Sequence, residues 1–142
     1  MLRAILAVLG AIAANIILVT LCEMVLKAGF PPPPGLDLND PAQLKAFAQS
    51  MPPAALAGLL VGWAVGAFGS AAAGFLIARK AWAAWVGPAF NLLGVVMSIT
   101  MIPHPLWVAA IGVLTPFVAA WSAPRLWGPR LAVSPSPPAT DA

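Results

Sequence analysis

The chain has 142 residues, of which 61% are hydrophobic and only 8% charged, with a net charge of +3. A water-soluble domain carries roughly 25% charged residues, so this chain lacks the charge to cover a soluble surface, and it is too apolar for intrinsic disorder. A single cysteine excludes an intramolecular disulfide and a cysteine-built metal site, which leaves an integral membrane protein.

The first apolar stretch runs from about Ala4 to Leu26. Arg3 ahead of it and Ala11-Ile12-Ala13 within it mimic a signal peptide, but apolar residues continue from Ile16 to Leu26, so a retained helix is expected. Ala7, Ala11 and Ala14 share a face, with Asn15 at its edge. A polar side chain at that depth is expected to point inward and find a partner. Glu23 is the one acidic residue inside a span. It lies about 12 Å outward of the helix midpoint at the helical rise, near the headgroups. Lys27 follows in the order that favours an i,i+4 pair. Glu23 therefore reads either as half of an interfacial ion pair or as a proton- or cation-binding site. Cys22 beside it reads as an inert core thiol.

The outer connection spans residues 27–53. Pro31 to Pro34 form a polyproline spacer that cannot continue a helix, and Gly35 permits a turn. Asp40 followed by Pro41 has the form of an N-cap and first helical residue. It opens a short helix over residues 41–51 whose Leu44, Phe47 and Met51 make one apolar face. That helix is expected to lie on the leaflet surface or to cap the bundle, as a connector or as a lid.

The second span, Ala54 to Ala78, carries Gly58, Gly62, Gly66, Ser70 and Gly74 at intervals of four. In lipid, helices associate through close backbone approach and polar contacts rather than apolar burial, so this row predicts a packed face, against another helix of the chain or a second copy. Arg79-Lys80-Ala81 makes a tight turn. The third span, about Trp82 to Ile102, places Gly87, Asn91, Gly94 and Ser98 on one stripe, with Asn91 and Asn15 natural candidates for each other. Pro103-His104-Pro105 forms the next turn. His104 reads as a turn residue, as a member of a polar site with Glu23, Asp37 and Asp40, or as a metal ligand, for which the ligand spacing is missing. The fourth span, Pro105 to about Ser122, is short, and the Pro- and Ser-rich tail from Leu131 onward is expected to be disordered. Pro88 and Pro116 are expected to interrupt the third and fourth helices.

The fold predicted is all-α: a four-helix transmembrane bundle of two antiparallel hairpins over residues 1–130, with a short helix in the first outer loop and a tail over 131–142. Arg3, Arg79, Lys80, Arg125 and Arg130 fall on the side of the termini and only Lys27 and Lys45 on the other, which places both termini in the cytoplasm. Trp82, Trp85, Trp121 and Trp127 at one interface and Trp107 at the other fit headgroup anchors. Trp63, near mid-span, is expected to pack on a helix or face lipid.

The candidate polar site is Glu23, His104, Asn15 and Asn91. No catalytic constellation, phosphate loop, haem ligand pair or metal spacing is legible, so no cofactor or metal is expected, and the absence of a basic patch interleaved with aromatics argues against nucleic acid. The expected partners are membrane lipid and either further copies of the chain or a larger membrane complex. The composition and motifs favour a non-enzymatic accessory or structural membrane protein over a proton- or cation-coupled transporter using Glu23, and both over a lipid-acting enzyme at the outer leaflet.

Glu23-Met24, Pro31 to Gly35 with Asp37, Gly62-Trp63-Ala64-Val65-Gly66-Ala67 with Ala78-Arg79, and Met101-Ile102-Pro103-His104-Pro105-Leu106-Trp107 together resemble a group of small, uncharacterised four-helix bacterial inner-membrane proteins. The resemblance covers roughly residues 2 to 125 and implies a bacterial inner-membrane location and four spans, but no reaction. The chain is also similar in span number to the small multidrug resistance transporters. It departs from them in placing Glu23 away from mid-membrane, in its long outer loop and in its clear charge bias, so their function does not carry over.

Overall fold

The computed structural model describes residues 1–37, 39–102 and 104–132, with side chains through residue 129. The apolar segments are helical, because a backbone in lipid must satisfy its own N–H and C=O groups. Helix α1 is Leu2–Gly29, α2 Pro41–Ser50, α3 Pro53–Ala78, α4 Val86–Met101 and α5 Leu106–Ala132, with a 3-10 turn at Ala81–Trp85 leading into α4. Among the described residues, four segments are long and apolar enough to cross a membrane: α1, α3, the 3-10 turn with α4, and α5. The protein is a multi-pass helical bundle.

Its centre is α3. The apolar window of α3 is 44% buried against 17% for α1, and α3 touches α1, α4 and α5. The glycine row explains this position. A Cβ on Gly58 would stand 2.6 Å from Leu26 Cδ1, and one on Gly62 would stand 3.2 Å from Cys22 Cβ. At Gly66 it would strike Val19, and at Gly74 it would strike the carbonyl of Ala83 while lying 3.3 Å from Ala11. The row thus packs within the chain, chiefly on α1, which runs antiparallel to α3. The buried face of α1 is Ala7, Ala11 and Asn15, while Ala14 is only half-buried.

Both ends of the described chain meet at one end of the bundle. The Nε of Arg3 donates to the Ile77 carbonyl at 2.6 Å, satisfying one of the last acceptors of α3 where its dipole favours a cation. Trp127 near the end of α5 packs on the cluster containing Phe75, Ala119 and Ala123. Arg79 ends α3 in the left-handed conformation, φ 54°. Arg125 lies 3.7 Å over the Trp121 ring and donates to the Trp121 carbonyl. The opposite end carries α2, capped as its sequence predicts. The Asp40 carboxylate accepts from the Ala42 and Gln43 amides, and the Gln43 side chain both donates to Asp40 and accepts from the Asp37 amide. Leu44, Phe47 and Met51 are half-buried, with Met51 on the cluster of Leu56, Trp63, Val95 and Val108.

Three expectations need correction. Pro88 does not interrupt the third helix. It lies in the first turn of α4, where its missing N–H has no intrahelical partner to lose, and the residues ahead of it wind as the 3-10 turn. The fourth helix does not end near Ser122 but runs to Ala132 through Pro116, Pro124 and Pro129. Packing of Ala119, Ala123 and Trp127 around Phe75 holds it together, and prolines are tolerated in membrane helices when neighbouring groups take up the freed carbonyls. The tail expected to be disordered from residue 131 therefore begins with two helical residues. Its remainder, from residue 133, and Pro103 of the predicted turn lie outside the described residues.

Candidate functional site

Viewed from α3, the helices α1 and α4 lean together at mid-depth and part toward the α2 end. Asn15, at the middle of α1, and Asn91, near the middle of the third span, converge on Gly66. Both amide nitrogens would lie within 3.3 Å of a Cβ placed on that glycine. Glycine at this one level of α3 is what allows two asparagine side chains to be housed among three helices. Both are 4% exposed.

Above this level the parting of α1 and α4 leaves a groove of about 470 Å³. Asn15, Thr20 and Glu23 line it from α1, Trp63 and Leu59 from α3, and Asn91, Gly94 and Ser98 from α4. Ile16, Phe90, Leu93 and Met97 at its rim are exposed, so its mouth faces the lipid. The Asn91 side-chain amide donates to the Trp63 carbonyl in a long bond of 3.4 Å. Its Oδ1, and the Nδ2 of Asn15, are buried with no hydrogen-bond partner among the described residues. The two asparagines thus share one place, as expected, but the bond made there joins Asn91 to α3 rather than to Asn15.

The four candidates do not form one site. Glu23 lines the groove toward its α2 end, 3.9 Å from Lys27 with the carboxylate side chain about half exposed. A pair that long and that exposed contributes about 0–1 kcal/mol. His104 lies away from the groove, behind one of its walls. Its ring is 5.9 Å from that of Trp63 and its Nδ1 is 2.7 Å from the Ile102 carbonyl. That contact fixes the tautomer with hydrogen on Nδ1, since a carbonyl can only accept. Asp37 and Asp40 are committed to the α2 cap: Asp37 accepts from the Asn39 amide. The Asp40 carboxyl is held below its ordinary value, first by the Ala42 amide and then by the Gln43 side chain. Among the described residues no three His, Cys, Asp or Glu side chains gather as a metal site.

The stripe predicted for helix packing on the third span divides in two. Gly87 packs tightly on Ser70 of α3, and Asn91 is buried. Gly94 is exposed, with nothing within 4 Å of a Cβ built on it, and Ser98 is half-buried; both border the groove. Gly94 is therefore not a packing residue. Sequence reasoning also missed Trp63 and Thr20 as groove residues. The usable signal was the stripe of Asn15, Val19 and Glu23 on α1 and that of Asn91, Gly94 and Ser98 on α4, which face each other because α1 and α4 both run antiparallel to α3 and so parallel to one another.

Compared with known proteins, the chain matches no protein family, no curated protein and no solved structure.

Proposed function

We propose that this protein is a small accessory or structural component of the bacterial inner membrane, with both termini cytoplasmic, acting by association with a larger membrane complex or with further copies of itself rather than by catalysis. The observation that carries the reading is how the membrane-region ionisable groups are engaged. Glu23 pairs only weakly with Lys27 and His104 is tied to its own turn through the Ile102 carbonyl, so the two do not meet in one site. Orientation follows from the cations of one bundle end, Arg3, Arg79, Lys80, Arg125 and Arg130, by the positive-inside rule.

One observation favours a second reading, proton- or cation-coupled transport: Glu23 borders a groove that reaches Asn15 and Asn91 at mid-depth. Two measurements separate the readings. Native mass spectrometry of the protein released from its own membrane is expected to show a stoichiometric partner or a fixed copy number, unchanged by Glu23→Gln. A bare monomer in that experiment, together with proton-linked flux into proteoliposomes that Glu23→Gln abolishes, would replace the accessory reading with the transport one.

A further inference from the structure

We infer that the arginine-bearing end of the bundle holds an acidic phospholipid, with its phosphate on Arg3 and Lys80 and an acyl chain in the groove between α1 and Trp82.

Charge is sorted along this molecule. Arg3, Arg79, Lys80 and Arg125, all exposed, lie at one end, while Glu23, Asp37 and Asp40, the acidic residues of the described chain, lie toward the other. The salt bridge among the described residues, Lys27 with Glu23, is at that other end as well. Four cations thus share one membrane interface with no carboxylate of the described residues to answer them. A basic cluster at that depth attracts anionic headgroups.

Arg3 and Lys80 differ from the other two in what lies beneath them. The Nε of Arg3 donates to the Ile77 carbonyl, which pins the guanidinium to the end of α3 and leaves the Nη groups for a phosphate, the anion a guanidinium suits best. Lys80, three residues further on, makes no side-chain hydrogen bond or ion pair among the described residues. Below them, Ala4, Ile5, Val8 and Leu9 of α1 and Trp82 of the 3-10 turn line a groove of about 270 Å³. From Arg3 to Leu9 the helical rise carries it about 9 Å into the membrane. Trp82 is exposed at its edge, and tryptophan is the residue type that settles at headgroup level.

The lining narrows the class of ligand. Every side chain in it is apolar but for the indole N–H, so a peptide laid there would bury backbone N–H and C=O groups without partners, whereas hydrocarbon leaves nothing unsatisfied. A free anion would use the cations and leave the groove empty. A zwitterionic lipid would bring its own ammonium into the cationic cluster. A phospholipid of net negative charge answers both halves.

The test uses the full chain in nanodiscs of equimolar dioleoyl phosphatidylglycerol and dioleoyl phosphatidylcholine, with the retained lipid counted by native mass spectrometry. The first lipid retained is expected to be phosphatidylglycerol by about twentyfold. Lys80→Gln breaks no contact of the described fold and is expected to lower that preference about fivefold, and Arg3→Gln with Lys80→Gln to bring it near parity. Val8→Trp fills the groove without changing charge and is expected to reduce retention of both lipids. Lys27→Gln and Lys45→Gln at the opposite end, and Arg125→Gln outside the groove, are expected to leave the preference unchanged. An undiminished preference in Lys80→Gln overturns the site, and so does an equal loss in Arg125→Gln, which would mean a diffuse field. Undiminished retention in Val8→Trp overturns the seat of the acyl chain. Displacement of the lipid by millimolar glycerol phosphate would make it a site for a free anion instead. An acidic protein that co-purifies and is lost with Lys80→Gln, with no preference between the lipids, also overturns it. None of these outcomes depends on the accessory reading or on which way the bundle faces.

Discussion

Gly74 and Gly94 carry the same side chain, none, for opposite reasons. A Cβ on Gly74 would strike the backbone carbonyl of Ala83, which cannot move without the 3-10 turn, whereas one on Gly94 meets nothing within 4 Å. Gly74→Ala is therefore expected to destabilise the bundle by about 1–3 kcal/mol, the usual cost of overpacking. Gly94→Ala is expected to be neutral or to stabilise by up to about 1 kcal/mol through helix propensity. Reversible unfolding of both variants in mixed micelles checks the pair, and equal effects would contradict the packing described for α3. Sequence spacing alone placed both glycines on packed faces. Position on a stripe says which residues share a side of a helix, but where a neighbouring helix leans away is decided by the partner, here by α1 parting from α4 above Asn15.

At the level of elements, α2 was the most legible. Asp40, Pro41 and Gln43 specify a capped start through local chemistry, and the helix begins at Pro41. The cap carries a pH signature. The Asp40 carboxyl titrates below its ordinary 3.8 in the folded chain, so its stabilisation of α2 is fully present above that pH and is lost as the pH falls through the lowered value. Amide-exchange protection at Ala42 and Gln43, corrected for the intrinsic rate, is expected to hold above about pH 4 and to fall below it, and Asp40→Ala is expected to remove that dependence. The ends of α5 were the least legible. Three prolines argue locally for termination, while Phe75 on a distant helix, packing with Ala119, Ala123 and Trp127, decides for continuation. No local signal encodes that contact.

For the whole molecule, four crossings are expected from hydropathy, and among the described residues four helical segments are long and apolar enough to make them. The central place of α3 was legible in outline from its row of small residues. That its partner is α1 of the same chain is settled by contacts such as Gly58 with Leu26 and Gly62 with Cys22. On the proposed orientation, a membrane-impermeant maleimide is expected to label Lys45→Cys in intact cells, and Lys80→Cys only after the membrane is opened. Both are made in a Cys22→Ser background. Labelling of Lys80→Cys from outside would invert the topology and place α2 in the cytoplasm.

The arrangement around α3 sets an order of assembly. α1 leaves the ribosome before α3, yet its buried face of Ala7, Ala11 and Asn15 is completed by α3, and α1 and α5 share no substantial contact among the described residues. The newborn first helix must therefore wait in lipid, with its asparagine amide uncovered, until translation has passed residue 78. During that interval the young chain is open to insertion chaperones and to wrong partners. Asn15, buried against Gly66 in the finished protein, is the group that makes the wait hazardous.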